Sequence, residues 1–72
     1  MATFYTLKSF NGKNNNSVKL FAIKSRKQQM LGFEVEYTQD NIGYTELRTK
    51  DAKTAAACYA DTVAAIKEGW AI

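Results

Sequence analysis

The side chains best suited to acid–base or nucleophilic chemistry are seven carboxylates and one thiol, because the chain contains no histidine. Glu34 and Glu36 sit two residues apart in an alternating stretch, which puts both on one strand face. Glu46 is expected opposite them in a hairpin. Neighbouring carboxylates do acid–base work when their surroundings separate their pKa values. On an open sheet face they are instead solvated and paired with cations such as Lys8, Lys19 or Arg48. Cys58 has no histidine to activate it, and its alanine-rich setting suits a small packing residue. The four glycines are scattered, so no phosphate-cradling loop forms. Without histidine, and with a single cysteine, the commonest zinc ligands are missing. The expectation is a protein with no catalytic residues, no metal and no cofactor.

The cations carry the stronger signal. The net charge is +3, unevenly distributed. Residues 1–32 hold six basic side chains and no acid, whereas residues 33–72 hold four basic side chains and all seven acids. The split points either to a polyanionic partner for the N-terminal half or to attraction between the halves across a sheet. Lysine and arginine in polar loops suit phosphate contacts, which dominate nonspecific nucleic-acid affinity. The candidates are Lys13 with Asn14, Asn15 and Asn16 in one loop, and Lys24, Arg26 and Lys27 in the next. Arg48, Lys50 and Lys53 flank a helix start, where backbone amides also favour anions. Because Glu34, Glu36 and Glu46 make the sheet face acidic, nucleic acid is expected at the loops and helix start, away from the open sheet.

A second class of function is protein binding, as an inhibitor or adaptor of the kind that viruses and mobile elements carry. Its expected face is Glu34, Glu36, Tyr44 and Glu46, with Tyr44 and Trp70 as aromatic anchors or as core. An unpaired edge strand is an alternative docking element.

Residues 49–57 (TKDAKTAAA), preceded by Phe33-Glu-Val-Glu-Tyr37, are similar to the C-terminal half of double-stranded RNA-binding domains. The resemblance implies that Lys50 and Lys53 grip phosphates. It covers less than half of the chain. There is little room for that family's first helix, no loop histidine and no glycine pair before the last helix, and Thr49 stands where a lysine is expected. A strands-then-helix order also resembles DNA-binding modules of the integrase arm-binding kind, on architecture alone.

The elements that must position these residues follow from periodicity. Residues 49–70 read as one helix, with Ala52, Ala56, Tyr59, Val63 and Ile66 on a single stripe. Thr49 is the expected N-cap, and Gly69 with Trp70 the expected C-terminal stop. Residues 3–10 have strand composition and end in the turn signal Asn11-Gly12. Residues 17–24 alternate like a strand apolar on both faces; a helix over 17–31 is the competitor, with a poor apolar stripe. Residues 32–38 alternate Phe33, Val35 and Tyr37 against Glu34, Glu36 and Thr38. Residues 42–49 return after a short turn, which predicts an antiparallel hairpin with Tyr44, Glu46 and Arg48 on one face.

The predicted fold is α+β: an antiparallel sheet of three to four strands with one long C-terminal helix on one face. The length suits one small domain over residues 1–72. The expected core is Leu7, Leu20, Phe33, Val35, Tyr37, Leu47, Ala52, Ala56, Tyr59, Val63 and Ile66. Alanines 57, 60 and 64 or 65 lie off the stripe, as ordinary exposed alanines or as a seam for a homodimer. The lone cysteine, and a start without a signal-peptide pattern, lead to an expected cytoplasmic location and no membrane partner.

Overall fold

A computed structural model describes residues 2–13 and 15–68. Four strands, β1 (Thr3–Asn11), β2 (Asn16–Lys24), β3 (Met30–Gln39) and β4 (Ile42–Thr49), precede one helix, α1 (Ala52–Lys67). The strands pair antiparallel in the order β1-β2-β3-β4. The fold is therefore α+β with a four-stranded meander, as the alternation predicts. The ambiguous segment after the first loop is strand, not helix.

Tight turns fix the register. Asp40 and Asn41 form a two-residue connection with φ of 51° and 69°. Both angles lie in the left-handed region that a hairpin turn of this kind needs and that Asp and Asn tolerate. In the β2–β3 connection the Gln28 N–H donates to the Ser25 carbonyl and the Ser25 N–H to the Gln29 carbonyl, both at 2.9 Å. The Gln29 N–H also donates to Ser25 Oγ. Arg26 and Lys27 are thereby held at the exposed tip of a built turn.

The helix lies over β2, β3 and β4. Val18, Leu20, Val35, Tyr37, Ala55 and Ile66 form the buried core. Phe10, Phe33, Leu47, Cys58, Tyr59 and Val63 pack around it. Three expectations need correction. Leu7 is 52% exposed. It is the extra residue at a bulge in β1, where the register skips from Thr6 to Lys8, on a strand that meets the helix mainly at its far end, where Lys67 stands over Phe10. Ala52 and Ala56 are exposed, while Ala55 and Thr62 are buried, so the helix is rolled from the expected stripe. Thr62 tolerates burial because its hydroxyl donates to the Cys58 carbonyl at 3.0 Å. Val18, absent from the expected core, is fully buried in an interior strand.

The N-cap is Asp51, not Thr49. Asp51 Oδ1 accepts from the Lys53 N–H at 3.2 Å, and Oδ2 accepts from the Thr54 hydroxyl. Thr49 Oγ1 instead accepts from the Asp51 N–H, one step before the helix. The Thr54 hydroxyl bond, then the Lys53 amide bond, hold the Asp51 carboxyl below its ordinary pKa. A depressed folded pKa stabilises fully above the unfolded value, and that contribution is lost as pH falls through the folded value. Thermal melts of wild type and Asp51→Ala should therefore differ at neutral pH and converge in acid. The expected stop at Gly69 and Trp70 lies outside the described residues.

Gly12 packs where the β1–β2 hairpin meets the helix. A Cβ there would overlap Ile66 Cγ2, so glycine is required by close approach at the end of the molecule opposite the helix start.

Candidate nucleic-acid interface

The meander sends β2 and β4 in the same direction. Their C-terminal ends, the β2–β3 turn and the first turn of α1 therefore meet at one end of the sheet. Lys24, Arg26, Lys27, Arg48, Lys50 and Lys53 gather at that end. Among the described residues, Glu34 and Asp51 bring the carboxylates there. Lys13 is the exception among the predicted cations. It lies in the opposite hairpin, a nine-residue strand away, roughly 30 Å by strand rise. At ordinary salt the screening length is about 10 Å, so Lys13 does not reinforce the cluster.

Each cation is positioned differently. Arg26 and Lys27 occupy the turn tip. Lys50 and Lys53 are exposed on either side of the Asp51 cap. Lys24 ends β2 with its ammonium 5.4 Å from the centre of the Tyr5 ring, a cation–π contact. Arg48 projects from β4 onto the open sheet face. Its Nε donates to Glu34 Oε1 at 2.9 Å, and Nη2 donates to the same oxygen.

Glu34 changes the electrostatic reading of the sheet. It is 5% exposed rather than solvated, and Arg48 neutralises it. Glu36 lies on the same open face, with Lys19 as its cross-strand partner. Glu46 is elsewhere. Val35 pairs with Leu47 and Glu36 with Thr45, which leaves Glu46 as the extra residue of a β-bulge. The bulge breaks two-residue alternation. It puts Glu46 on the helix side, in a shallow recess with Cys58, Asp61 and Thr62. Tyr44, directly opposite Tyr37, shares that side and is 53% exposed. The expected face of Glu34, Glu36, Tyr44 and Glu46 is thus divided between the two sides of the sheet.

The groups with perturbed titration fit a packing role. Burial, then the charge of Glu46, pushes the Cys58 thiol up, which keeps it protonated. Burial, followed by Glu46, Asp40 and Tyr44, also raises Tyr37. The Tyr37 hydroxyl donates to buried Asn16 Oδ1 at 3.1 Å. Among the described residues, no group of three histidine, cysteine or acidic side chains could hold a metal ion. No described helix is long and apolar enough to cross a membrane.

The basic end also carries a feature that charge patterning did not reveal. The edge strands approach on the open side, where Arg48 Cζ lies 5.8 Å from the centre of the Phe4 ring. Beneath them Ile23 is only 7% exposed, although the helix lies on the other face. Beside this contact lies a cleft of roughly 460 Å³, walled by Phe4, Ile23, Leu31, Arg48 and Lys50 and floored at Gly32. A Cβ on Gly32 would come within 3.1 Å of the Thr49 carbonyl, so the floor depends on glycine. The cleft shares Ala2 and Leu31 with a second recess that reaches Arg26 and Lys27. The signal for it in the sequence is small: Met30-Leu31, an apolar pair directly after a polar basic loop.

No protein-family model matches this chain, and no curated protein or solved structure matches it. The likeness to double-stranded RNA-binding domains stays local. A strand, β1, stands ahead of the other three, and among the described residues no helix precedes it.

Proposed function

We propose that this chain is a non-catalytic binding module whose basic end engages a polyanionic partner, most simply nucleic acid. The observation that supports this reading is the gathering of six cationic side chains at one end of the sheet, with one of the two nearby carboxylates already paired to Arg48. Two groups of cations more than twenty residues apart in sequence meet there through the strand topology. The helix N-terminus itself is already met by the Asp51 carboxylate, so the positive charge of this end comes from its side chains. Cations spread over a turn, two strand ends and a helix start suit successive phosphates rather than one ion.

Titration of the wild-type chain against generic DNA and RNA at rising salt tests this reading. Each phosphate neutralised releases counterions, so affinity falls as a power of salt concentration. With four contacts, the loss between 50 and 200 mM salt is about a hundredfold. The absence of binding to either polymer at low salt would contradict the proposal.

A second reading, a protein-binding inhibitor or adaptor, has one observation in its favour. Strand β1 is exposed over almost its whole length, is an unpaired edge of the sheet, and carries Tyr5 and Leu7 at 40% and 52% exposure. Such an edge can accept a further strand from a partner or from a second copy. The exposed alanines Ala57, Ala60 and Ala64 lie on the helix that would accompany a homodimer. Sedimentation at high concentration separates these cases: a strict monomer removes self-association. In either reading the partner would be met from the cytoplasm.

A further inference from the structure

We infer that the basic end takes a single-stranded polynucleotide, with one base seated in the cleft between Phe4 and Leu31. This rests on the polyanion reading above and narrows it. A duplex presents phosphates but keeps its bases stacked inside, so it gains nothing from an exposed apolar cleft. A single strand presents both, and its bases stack on aromatic side chains while cations track the backbone.

The cleft is built for such a base. Phe4 is 44% exposed and Leu31 45%, so both walls are open to a ligand. The Phe4 ring is braced edge-on by Phe21, with centroids 5.9 Å apart and planes at 80°. Arg48 stands over the same ring, and its guanidinium is tied to the buried carboxylate of Glu34. A planar cation and an aromatic ring are thus held as one cation–π pair, whose outer faces are the surfaces on which a base can stack. The volume, roughly 460 Å³, lies in the usual range for a small-molecule site. Lys50 lines the same cleft, while Arg26 lies in the adjoining recess beyond Leu31. A backbone that dips one base into the cleft passes a cation on each side. Pairing of Glu34 removes the repulsion that an acidic sheet face would otherwise offer.

The test compares three labelled probes at one ionic strength: an oligothymidine and an oligouridine of about 15 nucleotides, and a blunt duplex of equal length. Single strands should bind at least tenfold more tightly than the duplex. Binding of either the deoxy or the ribo strand supports the inference, and their ratio shows whether the 2′-hydroxyl is read. Phe4→Ala should lower single-strand affinity about five- to a hundredfold, with duplex affinity and salt slope unchanged. Phe4→Tyr should retain the affinity. Leu31→Ala, at a second residue of the cleft lining, should weaken the single-strand complex in the same selective way, and it serves if Phe4→Ala unfolds. Equal affinity for duplex and single strands, with both alanine variants neutral, would overturn this inference and leave the polyanion reading standing. No binding of any probe would overturn both.

Discussion

Leu20→Ala should cost about 2–5 kcal/mol, among the large single-residue effects on stability expected in this chain. Leu20 is 5% exposed in interior strand β2, directly opposite fully buried Val35 and under the helix. Truncation removes apolar surface and leaves a cavity that two strands and a helix cannot all close. A domain of this size has a total stability of about 4–11 kcal/mol at the usual value per residue. The variant should therefore unfold at much lower denaturant, with the slope of the transition unchanged. Leu7→Ala is the contrast. As an exposed bulge residue on the uncovered strand, it should change stability by less than about 0.5 kcal/mol. Urea titrations followed by circular dichroism decide between them. Equal costs at the two leucines would contradict the arrangement in which the helix covers β2 to β4 and leaves β1 open.

Arg48→Ala should destabilise through Glu34. Removing the guanidinium leaves a carboxylate that is 5% exposed without its cation. Breaking a buried pair in this way costs several kcal/mol when both partners are buried. Here the Arg48 side chain is 62% exposed, and water can enter where it stood, so about 1–3 kcal/mol is expected. The cost belongs to the orphaned charge, which a second substitution can reveal. Glu34→Gln combined with Arg48→Ala should recover most of the loss, giving a clear coupling in a double-mutant cycle. If the double variant is no more stable than Arg48→Ala alone, the ion pair does not hold this corner of the sheet together. The same pair orients Arg48 over Phe4, so its stability and the shape of the cleft are linked.

Much of the architecture is legible in local sequence. Phe33 to Thr38 alternate cleanly, Asp40-Asn41 suit a two-residue hairpin turn, and the alanine-rich stretch after Asp51 can only be helix. What periodicity misreads are the departures from it. A two-residue period assumes that every residue is paired, and the bulges at Leu7 and Glu46 break that assumption. The first bulge strips Leu7 from the core, and the second sends Glu46 to the opposite side from Arg48. The helix stripe is misplaced for another reason. Thr62 looks polar, yet its hydroxyl is satisfied within its own helix, so the helix rolls to bury it beside Ala55.

The candidate site divides along the same line. Its residue types are visible, since no acid precedes Glu34 and Arg26, Lys27 and Lys50 fall in polar connections. Their assembly is not visible, because it depends on β2 and β4 running the same way. That topology brings Arg26 to the same end as Lys50 and leaves Lys13 at the other. Phe4 belongs to the site because the edge strands approach on the open side, and Leu31 because it is the extra residue where the β2–β3 register skips from Gly32 to Met30. Such a contact between β1 and β4 spans most of the chain and leaves no local trace.

If one end of the molecule, and not its overall charge, binds a polyanion, charge reversals at the two ends should have unequal effects. The most direct measurement compares two charge reversals of equal size on a labelled oligonucleotide: Arg26→Glu and Lys13→Glu, each across a salt series. Both lower the net charge by the same amount. Arg26→Glu should weaken binding about tenfold or more and flatten the salt dependence by about one contact, while Lys13→Glu should stay close to wild type. Equal losses from the two substitutions would contradict this expectation, because binding would then follow net charge and the cluster would have no role of its own.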